Sequence, residues 1–208
     1  MPGIEQLLAF LAAAVLVTAS PGPDNLMVLG IGLARGRRAG IAFGLGCAMG
    51  CLSHTLLAVV GVSALVAASP LAFGALKVGG GLYLLWLGVN ALRSRGGAHA
   101  AAAPVAAESP VRLFARGVLA NAINPKVVLF FLAFLPQFVV PGQGPAALQM
   151  AVLGGLFTVQ AALLFGLLGA FAGQAGRLFE RWPGASAWLD RLAGVVFVGL
   201  GLRLIVTD

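Results

Sequence analysis

The sequence predicts an all-α integral membrane protein whose helices cross a lipid bilayer six times. Hydrophobic residues make up 60% of the 208 residues and charged residues only 9%, whereas a soluble domain carries about 25% charged residues. The apolar residues fall into six long runs, and the basic residues cluster between alternate runs. A surface so poor in charge requires lipid as its solvent, and the length gives room for six helices in one domain.

Each of the six apolar runs is long enough to cross a bilayer as a helix. The runs cover, in order, residues 4–34, 39–67, 71–92, 113–140, 145–173 and 188–206. The first run is interrupted at residues 20–24 and the fourth at residues 124–126. None of them alternates between polar and apolar residues as a barrel strand does, and a helix pairs its own backbone in lipid. We therefore expect six helices, the first and the fourth of them broken.

The basic residues alternate between loops, and this pattern predicts the orientation. The first, third and fifth loops hold Arg35, Arg37, Arg38, Arg93, Arg95, Arg112, Arg116, Arg177, Arg181 and Arg191. The second and fourth loops, residues 68–70 and 141–144, carry neither Lys nor Arg. Because basic loops stay on the cytoplasmic side, the odd loops should face the cytoplasm and both termini the periplasm or exterior.

The two halves of the chain also show a weak internal similarity. When the third and sixth runs are aligned, Gly81 matches Gly194 and Gly88 matches Gly201. The first run of each half is broken by proline, which supports the match independently. Three helices per copy is an odd number, so two directly fused copies must have inverted topology. A chance match in a sequence rich in Gly and Leu is the alternative.

The repeats form one predicted transmembrane transporter domain over residues 1–208. The first repeat covers about residues 1–95 and the second about residues 111–208. Between them, about residues 96–110 are rich in Ala, Gly and Pro. That composition is typical of a flexible loop, which the orientation above places in the cytoplasm.

The two proline breaks are the most informative motifs, since a mid-helix proline costs about 3 kcal/mol. Ser20 precedes Pro21 in the first break, and Asn124 precedes Pro125 in the second. Ser or Asn followed by Pro is a typical helix start, so each break should end one half-helix and begin another within the membrane. In inverted repeats the two new N-termini would meet near the midplane and attract a carboxylate. A simple packing kink is the alternative.

Two residues of opposite charge accompany the breaks: Asp24 follows Pro23, and Lys126 follows Pro125. Charge within a bilayer costs at least about 2.5–3.5 kcal/mol on insertion scales, so it usually marks function. We expect Asp24 to hold a substrate ammonium or exchange a proton and Lys126 to hold a carboxylate, which together fit a zwitterionic α-amino acid. An Asp24–Lys126 ion pair that only closes the bundle is the alternative. The predicted substrate-binding or proton-coupling residues are Ser20, Pro21, Gly22, Pro23, Asp24, Asn25, Asn124, Pro125 and Lys126.

Further polar side chains lie within the spans. His54, in the middle of the second, is a secondary candidate as a proton relay, although such a His more often hydrogen-bonds a neighbouring helix. Lys77, about a turn into the third, is another secondary candidate, unless it extends to the outer interface. Cys47 and Cys51 share a helix face and are expected to pack as small buried side chains.

The pattern argues against several other classes of protein. We see no nucleophile–base arrangement, metal-ligand spacing or phosphate-binding loop, so we expect no enzyme activity, cofactor or metal site. The net charge of +7 comes from arginine clusters between apolar runs and forms no basic face interleaved with aromatics, so nucleic acid is not an expected partner.

The motifs resemble those of the LysE/RhtB family of amino-acid exporters over nearly the whole chain. The first helix contributes Ser20, Pro21, Gly22, Pro23, Asp24 and Asn25, and the first loop and second helix contribute residues 35–40 with Gly44 and Gly46. The third and fourth helices contribute Lys77, Gly81, Tyr83, Leu84, Gly88, residues 121–126, Phe134, Pro136 and Gln137. The last helix contributes Gly194, Phe197, Gly201 and Leu204. The two proline motifs at this spacing are specific.

The resemblance implies a secondary exporter of the cytoplasmic (inner) membrane that moves amino acids or their derivatives outward, driven by the proton motive force. It supplies the direction and the driving force, which the residues alone do not. Export of an inorganic cation or another small metabolite is the first alternative, and a non-transporting membrane scaffold is the second. The small size and the Gly-rich helix faces further suggest a homodimer.

Overall fold

The computed structural model describes residues 3–20, 22–62, 69–94, 108–181 and 183–206. Every regular element in these ranges is helical, as predicted. The helices are α1 (Ile4–Ala19), α2 (Pro23–Arg35), α3 (Arg37–Leu57), α4 (Pro70–Arg93), α5 (Pro110–Ala122), α6 (Pro125–Leu129), α7 (Ala146–Ala170), α8 (Ala172–Arg181) and α9 (Pro183–Val206). A π-helical turn, Ala58–Val62, extends α3; a second π-helical turn, Phe130–Phe134, and a 3-10 turn, Leu135–Phe138, extend α6.

Three helices of the described chain are long and apolar enough to cross a membrane: Arg37–Gly61, Leu71–Arg93 and Ala146–Ala170. Two bent pairs, α1 with α2 and α5 with residues 125–138, also qualify when each pair is taken as one span, which gives up to five. Helix α9 occupies the sixth predicted run; it carries Asp190, Arg191 and Arg203 and is not among these candidate spans. Most of the predicted cytoplasmic loop, residues 95–107, lies outside the described residues.

Both predicted breaks are present, and the two half-helices meet at an angle of 55° in the first and 52° in the second. At the second break the predicted start is confirmed: Asn124 caps α6, its side chain accepts from the backbone N–H of Lys126, and Pro125 is the first helical residue. At the first break the predicted cap is wrong. Ser20 ends α1 and donates its hydroxyl to Val17 O at 2.7 Å.

Helix α2 instead begins at Pro23, with Gly22 as its N-cap residue. A glycine contributes no side-chain cap, so the pattern of a polar residue before proline selected the wrong one of two prolines. Pro21 itself lies outside the described residues. Pro23 and Pro125 are therefore equivalent, because each is the first residue of the half-helix that follows a break, α2 or α6. Asp24 and Lys126 are equivalent as the second residues of these helices.

Helices α4 and α9 run antiparallel and touch at two pairs of glycines. A Cβ atom on Gly81 would lie 3.1 Å from the carbonyl oxygen of Gly201, and one on Gly201 would lie 2.8 Å from that of Gly81. Gly88 and Gly194 approach in the same reciprocal way, at 2.9 and 2.8 Å. Only glycine allows two helix backbones so close, as expected for small residues at membrane helix contacts.

Six buried phenylalanines fill the bundle between the breaks and the end at which α1 begins. We call them the aromatic cluster: Phe10, Phe130, Phe131, Phe134, Phe138 and Phe157. Neighbouring ring centroids lie between 4.9 and 6.2 Å apart, in tilted and edge-to-face arrangements that stabilise aromatic pairs.

Towards the opposite end, the backbones of α2, α3 and α7 meet at Gly32, Gly40 and Gly169. A Cβ atom on Gly40 would lie 2.9 Å from Gly32 Cα and 3.0 Å from Gly169 Cα. The bundle is thus packed tightly on both sides of the breaks, by aromatic rings on one side and by backbone contacts on the other.

Candidate functional site

A small buried cavity lies where the two helix breaks meet. Its lining residues are Val17, Thr18, Asp24, Cys51, Asn121, Lys126, Val127, Phe157 and Phe165. The cavity volume is about 10 Å³, roughly the space that a single water needs. Asp24 and Lys126 are both among its lining residues, beside apolar side chains.

Asp24 provides the carboxylate and is only 2% exposed. As the second residue of α2 it lies in the first turn, where the helix dipole stabilises a negative charge. Its Oδ2 accepts a hydrogen bond of 2.8 Å from the side-chain amide of Asn121, in the last turn of α5. The carboxylate is therefore held across the bundle, from the far side of the other break.

Lys126 provides the ammonium and is 6% exposed. Its Nζ donates to the carbonyl oxygens of Val17 and Ser20, each at 3.1 Å, and to the Ser20 hydroxyl at 3.3 Å. These groups form the last turn of α1, where free carbonyls and the helix dipole favour a cation. Gly22 leaves room for this contact, because a Cβ atom there would lie 2.8 Å from Nζ.

The two charged residues thus cross over: each contacts the last turn of the broken helix in the other half of the chain. Among the described contacts, Asp24 and Lys126 are not joined as an ion pair; Asp24 pairs with an amide and Lys126 with carbonyls and a hydroxyl. The alternative of an ion pair that only closes the bundle therefore does not describe this arrangement. Each charged group instead has its own hydrogen-bond partners beside the cavity.

A group of polar side chains surrounds Thr18 at the edge of the cavity. Asn25 donates from its amide to the Thr18 carbonyl at 2.8 Å, and Gln160 donates to the Thr18 hydroxyl at 2.8 Å. Asn25 thus lies next to a cavity residue without lining the cavity itself, and it supports the end of α1. The second amide atoms, Asn25 Oδ1 and Gln160 Oε1, are buried without a hydrogen-bond partner among the described residues.

The two secondary candidates lie in different places. His54 is 1% exposed, and its Nε2 lies 3.0 Å from the backbone carbonyl of Asn121. It sits directly behind a cavity residue and contacts a neighbouring helix. Lys77 is half-buried on α4 and is not one of the residues that line the cavity. The structure therefore brings His54 close to the site and does not bring Lys77 there.

Several residues at the cavity were not among the predicted site residues, and Cys51 was expected only to pack. Asn121, Cys51 and Thr18 line the cavity, and Gln160 supports it. The available signal was an uncharged polar side chain inside a long apolar run, because a buried amide or hydroxyl is costly unless it has a partner. Away from the two breaks, only ionisable side chains were predicted to be functional, so these four residues were missed.

Comparison with known proteins adds independent information. The family model described as LysE type translocator matches residues 15–208. An uncharacterized membrane protein of Vibrio cholerae is 36% identical over 97% of both chains. A homoserine/homoserine lactone efflux protein of Salmonella typhimurium is 35% identical over 72% of each chain. A threonine efflux protein of Escherichia coli K12 is 30% identical over 97% of this chain and 99% of its own.

No solved structure matches the chain significantly. The range matched by the family model, residues 15–208, spans both helix breaks.

Proposed function

The chain belongs to the LysE family of translocators, and on that premise we propose that it exports a small zwitterionic α-amino acid or a derivative across the cytoplasmic membrane. Members of this family are transporters, so the chain is not an enzyme. Relatives at 30% and 35% identity are named threonine and homoserine efflux proteins, which supports an amino-acid substrate.

The observation that carries this proposal is the placement of Asp24 and Lys126 on one cavity between the two helix breaks. A substrate ammonium would bind the carboxylate of Asp24. A substrate carboxylate would bind the Lys126 ammonium and the free N–H groups at the start of α2, where an anion is favoured. Val17, Phe157 and Phe165 would surround an uncharged side chain.

The closed state of the cavity supports a carrier rather than a channel. A volume of about 10 Å³ cannot hold an amino acid, so the substrate must bind after the bundle opens. The aromatic cluster blocks one route and the contact of Gly32, Gly40 and Gly169 blocks the other. Alternating access requires one of these seals to open while the other stays closed.

The glycine contacts of α4 and α9 support the proposed inverted repeat. Under the sequence match of Gly81 with Gly194 and Gly88 with Gly201, a two-fold axis converts the first contact into the second. Gly81 touches Gly201 and Gly88 touches Gly194, which is the exchange of partners that such an axis produces. We propose six spans in this arrangement, with the arginine-rich loops in the cytoplasm and both termini outside.

We further propose that the proton motive force drives export, with Asp24 as the proton-exchanging group and His54 as a secondary relay. Asp24 is the acid on the cavity, and His54 contacts the same neighbour, Asn121. Substrate ammonium and proton would then compete for one carboxylate, which couples their movements in opposite directions. The homodimer stays a prediction from the Gly-rich faces.

Efflux from proteoliposomes tests the proposed function. Purified protein would be reconstituted with a panel of labelled amino acids inside, and release followed with and without an imposed proton gradient. Gradient-dependent release of one subset is the expected result. Asp24→Asn should abolish it, whereas Asp190→Asn, which removes another buried acid on α9, should not.

Failure to release any amino acid, from protein shown to be folded, would overturn the amino-acid proposal. Transport that is unchanged in Asp24→Asn would overturn the role of that carboxylate. Release that is insensitive to the gradient would overturn the proton coupling alone.

A further inference from the structure

Asn121 is the residue through which three helices meet at the cavity. It is fully buried, at 0% exposure, in the last turn of α5. Its side chain contacts Asp24 of α2 and Cys51 of α3, and its backbone carbonyl lies 3.0 Å from Nε2 of His54. Burying an amide is costly unless its polar atoms have hydrogen-bond partners, and Asn121 has such partners on two other helices.

The partners fix the orientation of the Asn121 amide. A carboxylate only accepts hydrogen bonds, so the NH₂ end must face Asp24 Oδ2, at 2.8 Å. The carbonyl end accepts from the thiol of Cys51 at 3.5 Å. Gly50 closes the remaining side, because a Cβ atom there would lie 2.8 Å from Asn121 Cβ and 2.9 Å from its Oδ1. The side chain has little freedom to turn away.

This arrangement engages one carboxylate oxygen of Asp24 in a hydrogen bond and leaves the other oxygen for a ligand. Among the described hydrogen bonds, Asp24 is engaged only through Oδ2. Asp24 is among the residues that line the cavity, and its hydrogen bond to the Asn121 amide restrains rotation about the last side-chain bond. The second oxygen, Oδ1, is then the atom that a bound cationic group would meet.

We propose that Asn121 is a positioning residue for substrate recognition: it holds Asp24 so that one carboxylate oxygen is presented to the ammonium group of the substrate. This inference rests on the proposed export of an amino acid and adds to it the residue that sets the selectivity for the ammonium. Cys51 acts indirectly, because its thiol bonds to the Asn121 carbonyl oxygen and so orients the amide. Ser20 has the corresponding place in the other half, since it holds Lys126 from the last turn of α1.

The test compares an amino acid with its 2-hydroxy analogue, which lacks the ammonium group. The wild-type protein should prefer the amino acid, and Asn121→Leu, which keeps the branched shape but removes the amide, should raise KM for the amino acid about tenfold. KM for the hydroxy analogue and the maximal rate should change less than threefold. The ratio of the two KM values should therefore fall, which means a weaker preference for the amino acid over its hydroxy analogue. Asn121→Ala should behave in the same way, and Cys51→Ala should give a smaller shift in the same direction.

Gln149→Leu is the matched control, because Gln149 is also a buried amide, 1% exposed, that bonds to backbone groups away from the cavity. Gln149→Leu should leave the ratio of the two KM values unchanged. Equal losses for both substrates in Asn121→Leu would mean that Asn121 only stabilises the fold and would overturn the inference. If Asn121→Leu does not fold, Cys51→Ala decides by the same ratio. Wild-type protein that transports no amino acid would instead overturn the proposed function.

Discussion

The ammonium of Lys126 lies 3.1 Å from the carbonyl oxygen of Ser20, the C-cap residue of helix α1. This contact joins the two halves of the chain at the point where both of their first spans are broken. Because the free carbonyls at the end of α1 need a donor within the membrane, the lysine satisfies the helix end as well as lining the cavity. Its removal should therefore affect both transport and stability.

Lys126→Met should reduce efflux at least tenfold and lower the thermal midpoint, since it leaves the last turn of α1 without its donor. The measurement is efflux from proteoliposomes together with thermal unfolding in detergent. Lys77→Met is the matched control because this lysine is half-buried on α4 and does not line the cavity. Equal effects of the two substitutions would contradict the assigned role of Lys126.

Gly22→Ala should displace the ammonium of Lys126 while the protein still folds. The new Cβ atom would lie 2.8 Å from Nζ, and the end of a lysine side chain can move. The backbone of Gly22 is extended, with φ −169°, so alanine fits it. We expect efflux to fall roughly tenfold, with a smaller fall in melting temperature than in Lys126→Met, because the lysine can still reach other acceptors. Gly79→Ala, at a glycine with no atom within 4 Å of its Cβ position, should leave efflux unchanged.

Phe130→Ala should loosen the aromatic cluster. Phe130 is 0% exposed and contacts Phe10, Phe131, Phe134 and Phe157, and truncation of a buried Phe costs about 3–5 kcal/mol. The thermal midpoint should therefore fall.

Cysteine labelling tests whether the cluster also seals the cavity. In a Cys47→Ala background, a membrane-permeant maleimide should label Cys51 faster with Phe130→Ala than without it, because Cys51 lines the cavity. Phe171→Ala, at a side chain that is 51% exposed, is the control; equal labelling in both variants would argue against a seal at this cluster.

Gly88→Ala should destabilise the contact between α4 and α9. A Cβ atom on Gly88 would lie 2.9 Å from the Gly194 carbonyl oxygen and 2.8 Å from the backbone nitrogen of Val198, and backbone atoms cannot move aside as a flexible side chain does. Overpacking of this kind costs about 1–3 kcal/mol. Thermal unfolding in detergent measures the change. Gly199→Ala on α9, which has nothing within 4 Å of its Cβ position, should be close to neutral.

The sequence was sufficient to locate the long apolar helices, the two breaks and the two charges beside them. Helix α8, Ala172–Arg181, lies almost wholly in the predicted fifth loop and was not predicted. Long apolar runs predict helices because lipid excludes other open structures, and proline with a neighbouring charge identifies a site because both are costly within a membrane. These signals are local, so Asp24 and Lys126 could be identified without knowing what surrounds them.

The details of the first break could not be predicted from the same signals. Two prolines in close succession offer two helix starts, and Gly22, which precedes the true start, has no side chain that marks it as a cap. The partners of the charges were equally out of reach. Asn121 is 97 residues from Asp24, and such a pair is created only when the broken helices cross.

The glycine pairs of α4 and α9 lie in different halves of the chain, 81 with 201 and 88 with 194. Each half therefore carries one side of a shared seam. The covalent link between the halves runs through residues 95–107. Two separate polypeptides, divided within that link and produced together, should assemble into one working carrier.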